Sequence, residues 1–337
     1  MTADAICRAV VLVTLAGCGA QTEFHRLAGR TMGTEYAVTV SGGSDCTGVL
    51  PHLVEAELGS VNAQMSTWQS DSELSRFNEA QAGEWVPVSP DLAGVVALAQ
   101  GLATRSDGAF DVTVGPLVDL WGFGVPERRG LPGTKEIAEA ATRVGYRLLD
   151  ARQAPPGLRK RVDGLRVDLS AIAKGHGVDR LADLLDGRGC TDYLIDVGGE
   201  VRVRGLNPGR APWRIAIEMP EAGNGAEAAP VFHLSAGAVA TSGGYRNFRR
   251  VGEFRFSHTI DPRTGRPVSH DMASVTVLAD TAALADGLAT LINVLGPEDG
   301  LAFAERHEVA ALALIRTEGG LDRRYTAAMR EHFGEPP

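Results

Sequence analysis

Across 337 residues the chain carries only 4 cysteines, and none form a Cys-x-x-Cys pair or a Cys/His spacing that binds zinc, so a zinc centre is not expected. Basic residues are outnumbered, 33 Lys+Arg against 42 Asp+Glu, and the formal net charge is −9. That balance argues against a nucleic-acid binder whose affinity comes from basic surface. The sequence has no Walker loop, no Gly-x-Gly-x-x-Gly after a strand and no Gly-x-Ser-x-Gly elbow. P-loop NTPases, Rossmann dehydrogenases and serine hydrolases are therefore not first choices. Also missing are an apolar run long enough to span a bilayer, an internal repeat, a low-complexity tract and a linker that forces a domain cut.

What remains is ordinary globular material, 44% hydrophobic and 22% charged, ample for a real core. Arg8 precedes a short apolar run, Ala9–Ala16, which ends in Leu15-Ala16-Gly17-Cys18. This pattern is expected to be a bacterial lipoprotein leader over 1–17, with Cys18 the lipidated first residue of the mature chain. A tether over 18–30 and a single domain over 31–330 follow. The body is expected to sit on the extracytoplasmic (periplasmic) face, held to the membrane by lipid alone. Cys46 and Cys190 then remain, either paired or as two buried free thiols.

Thr31–Val40 alternates like a first strand, and Leu53, Val54, Leu58 and Val61 form one helical stripe. Asp71 is read as capping a short helix through Phe77, and Leu92–Leu102 as another amphipathic helix. A helix around Ile137–Val144 and a hairpin Tyr193–Gly205 about Gly198-Gly199 come next. Strands are expected at Val231–Val239 and Arg249–Ile260, with Thr241-Ser242-Gly243 between them, then at Ser274–Leu278 and Val309–Ile315. Helices at Ala282–Leu295 and Glu298–Glu305 complete the set. Strands gather in hairpins between helices rather than in steady βαβ alternation. The fold class is therefore α+β, with largely antiparallel or mixed sheets flanked by helices.

The densest chemistry lies in Val167–Asp179, VDLSAIAKGHGVD. It reads as a strand carrying Asp168 that breaks into small residues and opens a helix with Lys174 in its first turn. Bare backbone and free N–H groups at a helix start suit an anion. The alternative is a buried corner whose Gly and Ala serve packing while Lys174 is solvated. On the helix Ala282–Leu295, Asp286 and Thr290 stand one turn apart, ~6 Å along the axis. That offers two hard oxygens to a divalent cation, or else a plain surface pair. His258 is a candidate general base, with Asp261 either orienting it or holding the Asp-Pro-x-x-Gly turn. Thr241-Ser242-Gly243 is a phosphate contact or an ordinary turn. Asp107–Gly124, with Phe110, Asp111, Trp121 and Phe123, is either a packed loop or a wall for a flat ligand.

These signals occur together in one order: Met32-Gly33-Thr34; the Trp68 segment; Gly108-Ala109-Phe110-Asp111 through Gly115-Pro116-Leu117 to Trp121-Gly122-Phe123; Asp168-Leu169 through Ala173-Lys174-Gly175 to Asp179; Gly198-Gly199; Thr241-Ser242-Gly243; His258 with Asp261-Pro262 and Thr264-Gly265; and Ala285-Asp286 with Ala289-Thr290. In this the chain resembles the FAD:protein FMN transferases, the ApbE family, from about Thr31 to the last strand. The resemblance implies Mg²⁺-dependent cleavage of the FAD pyrophosphate. The FMN phosphoryl passes as a phosphoester to a Thr or Ser of a partner protein, expected to be a subunit of a membrane redox complex, and AMP leaves. It also implies that Met32, Trp68, Ala109, Phe110, Asp111, Asp168, Lys174, Thr241 and Ile260 contact FAD. Phe110 and Trp68 would wall the flat rings. Asp286, Thr290 and the Ala171 carbonyl would hold the metal, with Lys174 stabilising charge on the AMP side. The same residues would also serve a Mg²⁺-dependent FAD pyrophosphatase or a non-catalytic FAD-binding lipoprotein. One departure is Gly244, where the family often has an acid before Tyr245.

Overall fold

In the computed structural model, residues 23–41, 46, 48–125, 130–220, 230–244, 248–251 and 254–333 are described. The expected leader and Cys18 lie outside them. Eight strands form one antiparallel sheet, in the spatial order Phe24–Thr31, Thr34–Ser41, Tyr193–Val197, Glu200–Arg204, Ala236–Gly243, Met272–Ala279, Ala310–Thr317 and Gly320–Tyr325. Period-two alternation splits their side chains between two faces. On one face Val38, Ile195, Val275 and Ala313 pack against the helices Leu50–Met65, Ala173–Gly187 and Ala282–Leu295. On the other, Val201, Val203, Val239 and Leu312 meet the hairpin of Trp213–Ala216 with Val231–Leu234 and the helix Ala327–Phe333. The fold is α+β, as the clustering of strands suggests.

The first strand corrects the expectation of a tether. Residues Phe24–Thr31 pair with Thr34–Ser41 in full register, from Phe24↔Ser41 to Thr31↔Thr34. Met32 (φ 48°) and Gly33 (φ 73°) form the two-residue turn between them. Two left-handed residues in succession match the hairpin turn whose twist suits antiparallel strands. As an edge strand this segment keeps Arg26 and Arg30 among its exposed positions, which protects an open edge from further pairing.

Several local readings shift. Ser72, not Asp71, caps the helix Glu73–Glu79, its Oγ accepting from Ser75 N at 2.9 Å. Leu165–Leu169 is not a strand of any sheet, with only an isolated bridge from Arg166 to Val114. Thr241-Ser242-Gly243 is the end of the strand Ala236–Gly243 rather than a turn, because the neighbouring strand pairs it through Thr241↔Thr276. Cys46 and Cys190 are joined as a disulfide, with Cα atoms 5.8 Å apart. No helix among the described residues is long and apolar enough to cross a membrane.

Candidate active site

Two helices cross at the heart of the molecule and fix its chemistry. A Cβ on Gly175 would strike the backbone of Ala282 and lie 2.7 Å from the Ala283 Cα. Only glycine allows the helices Ala173–Gly187 and Ala282–Leu295 to approach this closely. One turn further on, Asp179 accepts from Ala282 N and Ala283 N, both at 2.9 Å, so one helix caps the start of the other. Gly175 N in turn donates to Asp286 Oδ2 at 3.1 Å. The first turn of the Lys174 helix therefore spends this N–H on a protein carboxylate and not on a free anion site. Met32, displayed by the hairpin turn, reaches over Gly177, whose added Cβ would lie 2.9 Å from Met32 Cε.

These contacts floor a cleft of about 700 Å³. Lys174 Nζ lies 2.8 Å from Glu200 Oε1 and 3.8 Å from Asp286 Oδ1. Burial works against the Lys174 charge, but Asp286 and Glu200 more than offset it and its pKa is raised. Burial raises both carboxyls, against the pull of the same lysine. Asp286 and Thr290 line the cleft together, as does Ala171 from the turn before the Lys174 helix. Ala109, Phe110 and Asp111 also line the cleft, with Asp168 held beside them by its N–H on Val112 O at 2.7 Å. Asp111 is buried and holds Thr113 through its N at 2.8 Å and its Oγ1 at 2.7 Å. Burial raises its pKa against those two bonds. Asp168 Oδ1 accepts from Ser170 N at 2.8 Å, which shapes the turn that presents Ala171. Thr241, at the end of a central strand, and His258 and Ile260, at the small hairpin of Ile260–Asp261 with Arg266–Pro267, also border the cleft.

The chain matches the ApbE family model over residues 32–313. It belongs to the ApbE family. It is 41% identical over 327 residues to the FAD:protein FMN transferase of Haemophilus influenzae, covering 95% of this chain and 94% of that one. To the FAD:protein FMN transferase of Vibrio cholerae it is 42% identical over 315 residues, 92% of each chain. Among solved structures, the flavin transferase ApbE from Vibrio cholerae superposes with a TM-score of 0.84 at 40% identity, over 93% of this chain and 100% of that one. The apo form of Pseudomonas stutzeri flavinyl transferase ApbE gives 0.85 at 39% identity, over 94% and 99%.

In this ApbE chain the cleft thus gathers Met32, Trp68, Ala109, Phe110, Asp111, Asp168, Ala171, Lys174, Thr241, His258, Ile260, Asp286 and Thr290. Asp261 is the exception. Its Oδ1 accepts from Arg263 N at 2.9 Å and Nε at 3.0 Å, and its Oδ2 from Arg263 Nη2 at 3.0 Å. Both oxygens are committed to the turn, so turn-holding replaces the role of orienting His258. Phe110 also changes character. It is 2% exposed, with its ring in the main core rather than standing as an open wall, whereas Trp68 at 69% is the exposed aromatic of the cleft. Trp121 is likewise an anchor, its Nε1 donating to Gly265 O at 2.8 Å.

Glu200 escaped sequence reasoning. In the strand Glu200–Arg204 it reads as one polar position of a hairpin, and its partner Lys174 lies on a distant helix. The available signal was an acid directly after the Gly198-Gly199 turn, at a buried position of the strand. The donor set of Asp286, Thr290 and the Ala171 carbonyl consists of oxygen alone and fits a hard divalent cation. Among the described residues no group of three or more His, Cys, Asp and Glu forms a metal cage. A cation here would complete its shell with ligand oxygens and water.

Proposed function

We propose that this chain is a Mg²⁺-dependent FAD:protein FMN transferase, lipid-anchored through Cys18 on the extracytoplasmic side of the membrane. The observation that carries the reading is the cluster of Lys174, Asp286 and Thr290 on the floor of the cleft. It occurs in a chain 41% identical, almost end to end, to a protein of that name. The Cys46–Cys190 disulfide supports an oxidising compartment.

Phosphoryl transfer depends on placement and on neutralised oxygens more than on covalent help from the protein. Lys174 sets a half-buried positive charge in the cleft, where the diphosphate of FAD would lie. Trp68 presents an open aromatic face at the cleft for a flat ring. Asp286, Thr290 and the Ala171 carbonyl would hold Mg²⁺, which would offset the charge growing on the phosphate oxygens. The acceptor Thr or Ser oxygen attacks the phosphorus on the FMN side, and the bond to the AMP phosphate breaks. AMP departs, and the hydroxyl proton passes to His258. The acceptor is a protein of a membrane redox complex.

The test is to incubate the mature protein with FAD, Mg²⁺ and an acceptor protein, following the acceptor by mass spectrometry. An FMN adduct on Thr or Ser supports transfer. Free FMN and AMP with an unlabelled acceptor point to a pyrophosphatase, and intact bound FAD points to a carrier. His258→Ala is expected to slow transfer roughly 100-fold, a typical general-base contribution, with FAD affinity unchanged. An inert His258→Ala would place the base elsewhere.

A further inference from the structure

Three charges share the cleft floor, and their distances are unequal. Lys174 Nζ sits 2.8 Å from Glu200 and 3.8 Å from Asp286. Glu200 is 3% exposed, and its second oxygen, Oε2, is buried with no hydrogen-bond partner. A buried carboxylate is tolerated when a cation answers it, and Lys174 is the cation drawn up to it. Asp286 has its own backbone donor in Gly175 N, and it needs Lys174 less.

From this geometry we infer that Glu200 is a positioning residue, which holds the Lys174 ammonium off Asp286 and so keeps an Asp286 oxygen open to the divalent cation. The inference rests on the reading of Asp286 as a metal ligand. Without the Glu200 charge, the only other carboxylate paired with Lys174 among the described residues is Asp286. The ammonium then closes on Asp286 and competes with the cation for the same oxygen. In this arrangement Glu200 acts through Lys174, with which it is paired at 2.8 Å.

The test measures Mg²⁺ binding by calorimetry in the full mature protein without FAD, alongside FAD binding in EDTA followed by flavin fluorescence. Glu200→Gln is expected to weaken Mg²⁺ binding by about 10-fold, equivalent to about 1.4 kcal/mol. Its FAD affinity in EDTA is expected to stay within about twofold of wild type, equivalent to about 0.4 kcal/mol. The comparison that isolates the mechanism is the Lys174→Met background. There Glu200→Gln is expected to change Mg²⁺ affinity no further, since nothing remains to hold back. An equal loss in both backgrounds would mean that Glu200 acts by its field alone and would overturn the inference. So would an unchanged Mg²⁺ affinity in Glu200→Gln. Glu200→Asp, which keeps the charge, is expected to recover part of the loss, and a fall in Tm without any change in Mg²⁺ binding would reduce Glu200 to a structural role. If the wild type itself binds no Mg²⁺, the metal reading fails first, and that result is distinct from either of the others.

Discussion

Replacing Gly175 with alanine would test the crossing of the two helices. In an open helix this change is favourable, because alanine is about 1 kcal/mol better than glycine. Gly101, in the helix Pro90–Arg105 with nothing near its missing Cβ, supplies the control. Gly101→Ala should gain about 0.5–1 kcal/mol. At Gly175 the new Cβ meets the Ala282 backbone and sits 2.7 Å from the Ala283 Cα, and backbone cannot swing aside as a long side chain does. Overpacking of this kind costs about 1–3 kcal/mol, and a contact with backbone belongs at the upper end, so after the propensity gain of about 1 kcal/mol the net is a loss of up to about 2 kcal/mol. For a domain this large the Tm should fall by roughly 2–4 °C. Activity should suffer more than stability. The Lys174 side chain and the N–H on Asp286 belong to the same turn, and displacing a site by about 1 Å commonly costs about 100-fold in rate. Thermal melts and transfer rates of the two variants check this. A Gly175→Ala protein as stable and as active as Gly101→Ala would refute the reasoning.

Asp179→Ala removes the cap from Ala282 N and Ala283 N and leaves Arg202, now 2.6 Å from Asp179 Oδ1, without that partner. A loss of about 1–2 kcal/mol is expected in chemical denaturation, as for other N-cap deletions. His176 gives a pH signature. Its Nε2 is buried without a partner, and burial holds its pKa below the ordinary value. With the folded pKa depressed, the unfolded chain binds the proton first. Stability should be full above the unfolded value of about 6.5 and decline as pH falls from there toward the folded pKa. Tm measured across this window should slope less in His176→Gln than in wild type, and equal slopes would assign the acid loss to other groups.

Much of the architecture was legible because packing followed periodicity. Of the expected stripe Val54, Leu58 and Val61 are buried while Leu53 is only half-buried, and the helix Ala282–Leu295 has the expected bounds. The segment Phe24–Thr31 was not legible, because an edge strand with Arg26 and Arg30 has the composition of a tether. Its strand character depends on pairing with the next strand and on a Met-Gly turn that puts a β-unbranched residue at positive φ. That Asp286 and Thr290 share the cleft was legible because helix geometry converts a spacing of one turn into proximity. Glu200 could not, because its meaning comes from a lysine on another element. In Asp261 the local turn chemistry visible in the sequence outweighs the catalytic reading, since Arg263 takes both oxygens. The stretch around Lys174 takes part of each reading offered for it: Gly175 serves packing and gives its N–H to Asp286, while the lysine lines the cleft paired with Glu200 rather than solvated.

The most direct test compares wild type with Asp286→Ala, each given FAD and an acceptor protein, in Mg²⁺ and in EDTA. The fold should survive the substitution, as judged by circular dichroism. Acceptor flavinylation should appear only for wild type in Mg²⁺. Labelling by Asp286→Ala with wild-type Mg²⁺ dependence would contradict the account.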